Sequence, residues 1–418
     1  MRRTCVVYAA GMSHAAPSQS IHVLLLTPFY PFEGDEVDGS FVAESLMHLP
    51  DFDIHLTIIA AKPISSKTLR TSFKTKAHVP GATWVRYPQL PGRAAYASWS
   101  FGLYTRLARH VRQLNAARKI DIIHAHVALP CGYAAARLAD ELSIPFIVTT
   151  HGLDAFSSRR ERGLSRWWCE RASRVVYGKA FRNVCVSEAV SREIKKVLGD
   201  AAQTAVVYNG VNTDLFKPSH DDRSLDATLS VNPSQTILSV GRMVPDKGQE
   251  LVLRAVAKLS AKFPALRYEI IGDGTEQARL AALAVELKIA ERVSFHGRVT
   301  RRAVAEAMKR CTVFALPSQD EALGCVYLEA MATARPVVAS RGEAIEEIIR
   351  HGENGWLVRP TALEEMVEAL SLLLSDAALR ERLGREAHKT IHDGLTLTHQ
   401  AARLNDIYRA CLSRDDEL

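Results

Sequence analysis

Short β-branched runs alternate with helical segments twice along this chain, and that alternation restricts its fold more than any other feature. In the first half the runs are 21–27 (IHVLLLT), 54–60, 83–87, 121–125, 145–150, 182–187 and 204–208. Helical stretches separate most of them. Strands linked through helices pair in parallel and lie buried on both faces. The texture changes at 215–235, where Pro218, Pro233 and the polar cluster Ser219 to Ser224 read as a linker. Alternation resumes with 236–241, 268–272, 292–296, 312–316 and 336–340. The expected fold is α/β, with two tandem doubly wound, Rossmann-like domains at 21–214 and 236–395. Such sheets bind ligands at the carboxyl ends of their strands, so the active site is expected in the cleft between the domains. Residues 361–392 and 396–413 carry no strand signal and read as helices.

Composition narrows the class. With 418 residues, 47% hydrophobic and 24% charged, the chain is neither disordered nor fibrous. Cys5, Cys131, Cys169, Cys185, Cys311, Cys325 and Cys411 are scattered, odd in number and without a C-x-x-C pair, which suits a reducing compartment and excludes a disulfide framework. No apolar run approaches the roughly 18–20 residues of a membrane-spanning helix. Arg2 and Arg3 before the short apolar stretch Cys5 to Met12 imitate a secretory signal, but that stretch is at the short end of what one needs. Residues 1–20 are instead expected to be a disordered extension, with Met12 a second candidate start. The expected location is the cytoplasm, including the inner face of the membrane.

Charge is uneven: residues 1–217 hold 27 Lys and Arg against 17 Asp and Glu, and residues 218–418 hold 26 against 29. In the basic half, 103–119 places Leu103, Leu107, Val111 and Leu114 on one helical stripe, with Arg106, Arg109, Arg112, Arg118 and Lys119 around it. A second basic cluster, Arg159 to Arg182, contains Trp167 and Trp168. Two readings stay open, a solvated helix face over a packed core and a surface for an anionic membrane or acceptor. No motif supports nucleic acid.

Two loops carry the chemistry. In 317–339, PSQDEALGCVYLEAMATARPVVA, a loop leaves a buried strand, passes Glu321 and Gly324 and enters a helix that carries Glu329. Gly324 allows close backbone approach, and the free N–H groups of Cys325, Val326 and Tyr327 at the helix start can cradle a phosphate. In GRMVPDKG, 241–248, Arg242 and Lys247 stand beside another helix start and suit a diphosphate leaving group. The plain alternative is a polar loop in which Asp246 caps the helix.

These segments resemble the retaining, family-four nucleotide-sugar glycosyltransferases, whose GT-B fold sets two doubly wound domains face to face. The resemblance rests on the E-x7-E element Glu321 to Glu329, the pair Gly241-Arg242 with Lys247-Gly248, and VVYNGVNTDLFKP at 206–218. IIGDGTE at 270–276, VSFHGRV at 293–299 and GENGWLV at 352–358 add to it, and it covers about 21–395. PFYPFEGDEVDGSFV at 28–42 is similar to the family's glycine-containing donor-side loop, and THGLD at 150–154 to its active-site histidine segment. The resemblance implies that Arg242 and Lys247 bind the donor diphosphate, Glu329 the ribose hydroxyls and Glu321 a hydroxyl of the transferred sugar. It further implies that His151 sits by that sugar, that Gly39 lets the first-domain loop approach the phosphates, and that the helix in 396–418 packs back on the first domain. The anomeric configuration would be kept, the departing diphosphate serving as base. No cofactor or obligatory metal is implied beyond the nucleotide sugar itself.

The pattern is not met everywhere. Leu323 stands for the usual aromatic, Ala334 for the usual glycine, and RGEAIEE at 341–347 lacks the usual paired glycine and proline. These departures touch the sugar end of the donor site rather than the diphosphate end.

His124, His126 and His151 could meet in the cleft, as a zinc site requires, but no carboxylate or cysteine completes it. Acceptor-side contacts are the reading kept for His124, His126 and Asp154. The expected activity is transfer of a hexose from a nucleotide-diphosphate sugar, UDP-linked first and GDP-linked next, to a glycan or lipid-linked glycan in surface or exopolysaccharide assembly. A UDP-sugar 2-epimerase of the same fold and a non-catalytic nucleotide-sugar-binding partner subunit are the alternatives.

Overall fold

The computed structural model of the chain describes residues 20–33, 35–65, 68, 71, 73–75, 79–88, 95–152, 163–219 and 235–413. Among them the strands form two wholly parallel sheets. The first, in the order β3-β2-β1-β4-β5-β6-β7, comprises β1 (Ile21–Thr27), β2 (Ile54–Pro63), β3 (Ala82–Tyr87), β4 (Ile122–His126), β5 (Phe146–Thr150), β6 (Arg182–Cys185) and β7 (Thr204–Val206). The second, β10-β9-β8-β11-β12-β13, comprises β8 (Thr236–Val240), β9 (Arg267–Ile271), β10 (Val293–Phe295), β11 (Val313–Leu316), β12 (Val337–Ser340) and β13 (Trp356–Val358). Strand order reverses between β1 and β4 and between β8 and β11. These are the switch points at which such sheets open a crevice.

The two-faced burial inferred from the runs is visible in β1, where every residue is buried. Leu24 and Leu26 join the core under the helices Ala95–Ala117 and Tyr133–Leu142, whereas Ile21, Val23 and Leu25 join a separate cluster on the opposite face. That second face is covered by the short helix Ser40–Ser45 and by the last helix, Leu397–Ser413. Ala401, Leu404, Tyr408 and Cys411, at helical spacing, pack there against the first sheet. The chain therefore crosses between domains twice, and the crossings lie side by side. Val211 N–H donates to the Leu395 carbonyl (2.9 Å), and Leu397 N–H to that of Val211 (3.2 Å).

Two details depart from the sequence reading. The stretch 361–392 is two helices, Leu363–Ser375 and Ala377–His392, because Asp376 ends one in extended geometry and caps the next by accepting from Leu379 N–H (2.8 Å). Strand β13, three residues long at the sheet edge, has no counterpart among the runs read from the sequence. Residues 1–19 and 220–234, where an extension and most of a linker were expected, lie outside the described residues.

Leu404 is 3% exposed. Leu404→Ala should lower stability by about 2–5 kcal/mol through lost burial and a residual cavity, and exposed Asp406→Ala should shift it by no more than about 0.5 kcal/mol; urea denaturation of both variants checks this.

Candidate active site

The loops after β8, β9 and β11 and the helix Cys325–Ala332 form one wall of the cleft, and the segment around residues 35–44 forms the other. Between them lies a cavity of about 560 Å³ that reaches Asp38 and Glu44 on one side and Arg242, Lys247, Glu321 and Glu329 on the other. A second, of about 320 Å³, adjoins it and is lined by His151, Arg242, Glu321 and Gly324. The four side chains expected at the donor site and His151 are thus brought to one place.

Lys247 forms an ion pair with Glu321, both side chains being largely buried (17% and 16% exposed). An ammonium has three donors, so two remain for other acceptors. Arg242 is exposed, and among the described residues its guanidinium has no hydrogen bond or ion pair. Its carbonyl accepts from the Gln249 side chain (3.1 Å), which ties the loop down. The helix Gln249–Leu259 starts at Gly248, in the left-handed conformation (φ +70°).

Gly324 begins the helix Cys325–Ala332 with φ +81°, and a Cβ there would stand 2.5 Å from the Tyr327 ring. That ring is fully buried, and its hydroxyl donates to the Leu316 carbonyl (2.7 Å). The glycine is therefore demanded by packing inside the loop as well as by any ligand above it. Tyr327 N–H already donates to the Gly324 carbonyl (3.0 Å), which leaves the N–H groups of Cys325 and Val326, not all three, at the open helix start. Burial, with the charge of Glu329, pushes the Cys325 thiol up to about 12, so it is no nucleophile. Gly39, at φ +78°, is similarly demanded by its own chain, since a Cβ would lie 2.3 Å from backbone atoms of Phe29 and Tyr30. Gly241 has no such constraint.

Several residues at the site were given no role by the sequence, though some lie in segments it singled out. Arg301 donates to Glu329 (2.9 Å) and across the cleft to Glu44 (2.8 Å), and lies 5.1 Å over the Phe216 ring. Arg298 bridges the domains again by donating to Asp35 (2.7 Å). Glu347 accepts from the N–H groups of Glu188 and Ala189 (2.7 Å each), which caps the first-domain helix Glu188–Leu198 with a carboxylate from the second domain. Glu343, in the segment that lacks the usual paired glycine and proline, accepts from Glu321 N–H (3.3 Å) and so braces the loop. Burial raises its carboxyl, against the pull of the N–H groups of Glu321 and Asp320.

The histidines correct the acceptor-side expectation. His124 is wholly buried, with Nδ1 on the Tyr408 hydroxyl (2.6 Å) and Nε2 on that of Thr149 (2.7 Å). His126 is 3% exposed and bonds through Nδ1 to His151 Nε2 (2.7 Å). Neither can reach an acceptor, because both are packed beneath the cleft floor; their nitrogens are directed at hydroxyls and at one another instead of converging on a point. Asp154 lies outside the described residues.

The model of glycosyltransferase family 4 matches residues 6–215. This chain belongs to the family-four glycosyltransferases. The model of glycosyl transferases group 1 matches residues 222–390, so the two together span nearly the whole chain. The glycosyltransferase is 29% identical over 268 residues to an uncharacterised glycosyltransferase of Methanocaldococcus jannaschii, over 63% of this chain and 68% of that one. It is 26% identical over 329 residues to the N-acetyl-alpha-D-glucosaminyl L-malate synthase of Bacillus anthracis, over 77% and 82%. Among solved structures it matches sucrose-phosphate synthase of Thermosynechococcus elongatus with TM-score 0.75 at 19% identity, over 94% of this chain and 100% of that one. It also matches Anabaena HepE, solved with UDP and glucose, with TM-score 0.70 at 21% identity, over 93% and 99%. These structural likenesses show the GT-B fold.

Burial raises the Glu44 carboxyl to about 7, overcoming the opposing charge of Arg301, and the charge of Glu329 adds to the rise. The folded glycosyltransferase then holds a proton at Glu44 between about pH 4.5 and 7 that the unfolded chain has released. This site's contribution to stability therefore falls as pH rises through that window. Glu44→Gln removes that term, so melting temperatures across the window should show a less downward trend for the variant than for the wild type.

Proposed function

We propose that the enzyme transfers a hexose from a nucleoside-diphosphate sugar to a hydroxyl of a glycan or lipid-linked glycan, with retention of the anomeric configuration, in surface or exopolysaccharide assembly. The observation that carries this reading is the exposed guanidinium of Arg242, unpaired among the described residues, beside Lys247 and the open N–H groups of Cys325 and Val326. Together they form a preorganised anion cradle at the carboxyl ends of β8 and β11. Glu329, a turn into the helix and 8% exposed, is at the depth suited to a ribose diol. Glu321, held by Lys247, faces the smaller cavity with His151, where the transferred sugar would lie. UDP is the first choice of nucleotide, supported by the UDP complex of HepE, and GDP the next.

In this reading the acceptor oxygen attacks C1 on the face that the diphosphate leaves. The C1–O bond to phosphate breaks, the new C1–O bond forms, and the acceptor proton passes to the departing phosphate oxygen. Arg242 and Lys247 stabilise the charge that grows there, so no metal is needed and turnover should survive EDTA.

The basic first domain supports a place at an anionic membrane. No helix among the described residues is long and apolar enough to cross one. The neighbouring helices Ala95–Ala117 and Gly163–Lys179 expose Phe101 (56%), Trp167 (59%) and Val175 (43%) among Arg106, Arg109, Arg171 and Arg174. Large apolar side chains set among cations suit the headgroup region of anionic lipids.

Thermal stabilisation by a panel of UDP, GDP, ADP and CMP and their sugar conjugates tests the reading, and a shift for one nucleotide that disappears in Glu329→Ala supports it. No shift with any would favour a non-catalytic partner subunit. Arg242→Ala should cut turnover on the order of a hundredfold, as loss of one oriented donor to a developing anion does; near-normal turnover removes the diphosphate role. Vesicles of anionic lipid should sediment the protein at low salt and release it at high salt, and salt-insensitive or absent binding removes the membrane role.

A further inference from the structure

We propose that Arg301 is a positioning residue that aims Glu329 at the ribose of the donor and makes that aim depend on the first domain. The inference deepens the reading above, in which Glu329 meets the ribose diol, and rests on it.

Arg301 opens the helix Arg301–Arg310, whose start is capped by the Thr300 hydroxyl accepting from Ala303 N–H (3.2 Å). From there its side chain reaches the cavity that Glu44 and Glu329 also line. Nη1 donates to Glu329 Oε1 (2.9 Å) and Nη2 to Glu44 Oε2 (2.8 Å), while the guanidinium lies 5.1 Å over the Phe216 ring. The side chains of Arg301, Glu44 and Glu329 are only 20%, 12% and 11% exposed, so water competes little for these bonds. Phe216, fully buried, belongs to the segment that leaves the first domain, and Glu44 to the first-domain helix Ser40–Ser45. The guanidinium is thus fixed from three separate parts of the fold.

The bridge takes one carboxylate oxygen of Glu329, and among the described residues no donor meets the other. A carboxylate held at one oxygen is fixed in rotamer and plane and still offers the second to a ligand, which is the preorganisation that binding a diol demands. The bridge also needs an arginine's fork. Its two Nη groups point apart in one plane and reach both carboxyl groups while the flat face stays on Phe216; an ammonium, a point charge without a face, cannot do this. Nε, buried and without a partner among the described residues, takes no part. Protonated or ionised, the Glu44 carboxyl keeps an oxygen that accepts, so the bridge holds on either side of about pH 7. A first-domain carboxyl thereby helps to hold a second-domain one, and parting of the two cleft walls would release it.

The test reads the ribose alone. Dissociation constants for UDP and GDP, each beside its 2′,3′-dideoxy counterpart, are measured by titration calorimetry on the full chain. Wild type should prefer the ribose form on the order of ten- to a hundredfold, the range for hydrogen bonds to a charged group, and Glu329→Ala should abolish that preference. Arg301→Ala should lose most of it and Glu44→Leu part of it, whereas Glu44→Gln, which keeps an accepting oxygen, should retain it. An arginine that served only the fold would weaken both forms alike and leave their ratio unchanged. A ratio preserved in Arg301→Ala but lost in Glu329→Ala therefore overturns the proposal and leaves the ribose role of Glu329 standing. Equal ratios in Glu44→Leu and wild type overturn it independently, and decide the matter should Arg301→Ala fail to fold. A wild type that binds neither nucleotide, or a ratio that Glu329→Ala leaves intact, overturns the reading of Glu329 and the proposal with it.

Discussion

A parallel sheet can leave neither face in water, and both sheets of this chain obey that constraint. In the first domain it explains why β1 is buried at every position, and why the last helix leaves the second domain to lie against Ile21, Val23 and Leu25. Parallel pairing also gathers the strands' carboxyl ends on one edge of each sheet. The loops bearing Arg242, Lys247, Glu321 and His151 therefore need no further device to meet, because each simply follows a strand. The two crossings, hydrogen-bonded at Val211 and Leu395, keep those edges facing.

Burying charge at such an edge is tolerable only when each charge is paired. The cleft meets this internally: Lys247 holds Glu321, and Arg301 serves both Glu329 and Glu44. Arg301 also spans the domains, as do Arg298 with Asp35 and Glu347 with the start of the helix Glu188–Leu198. These polar bridges stand beside apolar packing, since one hydrophobic cluster includes residues of both domains. Arg242 differs from the other cations of the cleft in being both exposed and unpaired among the described residues.

Much of the fold was legible because strand and helix periodicities are local properties. All but the three-residue edge strand β13 appear as runs in the sequence, with ends displaced by a few residues. Arg242, Lys247, Glu321 and Gly324 were legible because they lie in loops that follow strands, and Glu329 because it lies a turn into the helix that such a loop opens, so that position along the chain already implies position in the cleft. Arg301 and Glu44 were not, since nothing local distinguishes them from other charged residues on helices, and the role of Glu347 was not, though its segment stood out. Their partners lie across the domain boundary. His124 and His126 share one face of β4 by alternation, but alternation does not say whether that face is covered. The helix returning from residue 397 covers it.

By itself the sequence determined the class of fold, the two parallel sheets and the segments that line the second-domain side of the cleft, because each of these follows from hydrophobic period, turn residues and the order of strands and loops. The tertiary structure alone decided which charges neutralise one another, which glycines serve packing as well as approach, and which nitrogens of the histidine cluster are left without a partner. Those outcomes depend on distances between residues far apart in the chain, such as the 2.6 Å from Tyr408 to His124 and the 2.8 Å from Arg301 to Glu44. A hydrogen bond or ion pair is decided within a few tenths of an ångström, which only the packed arrangement of both domains can set.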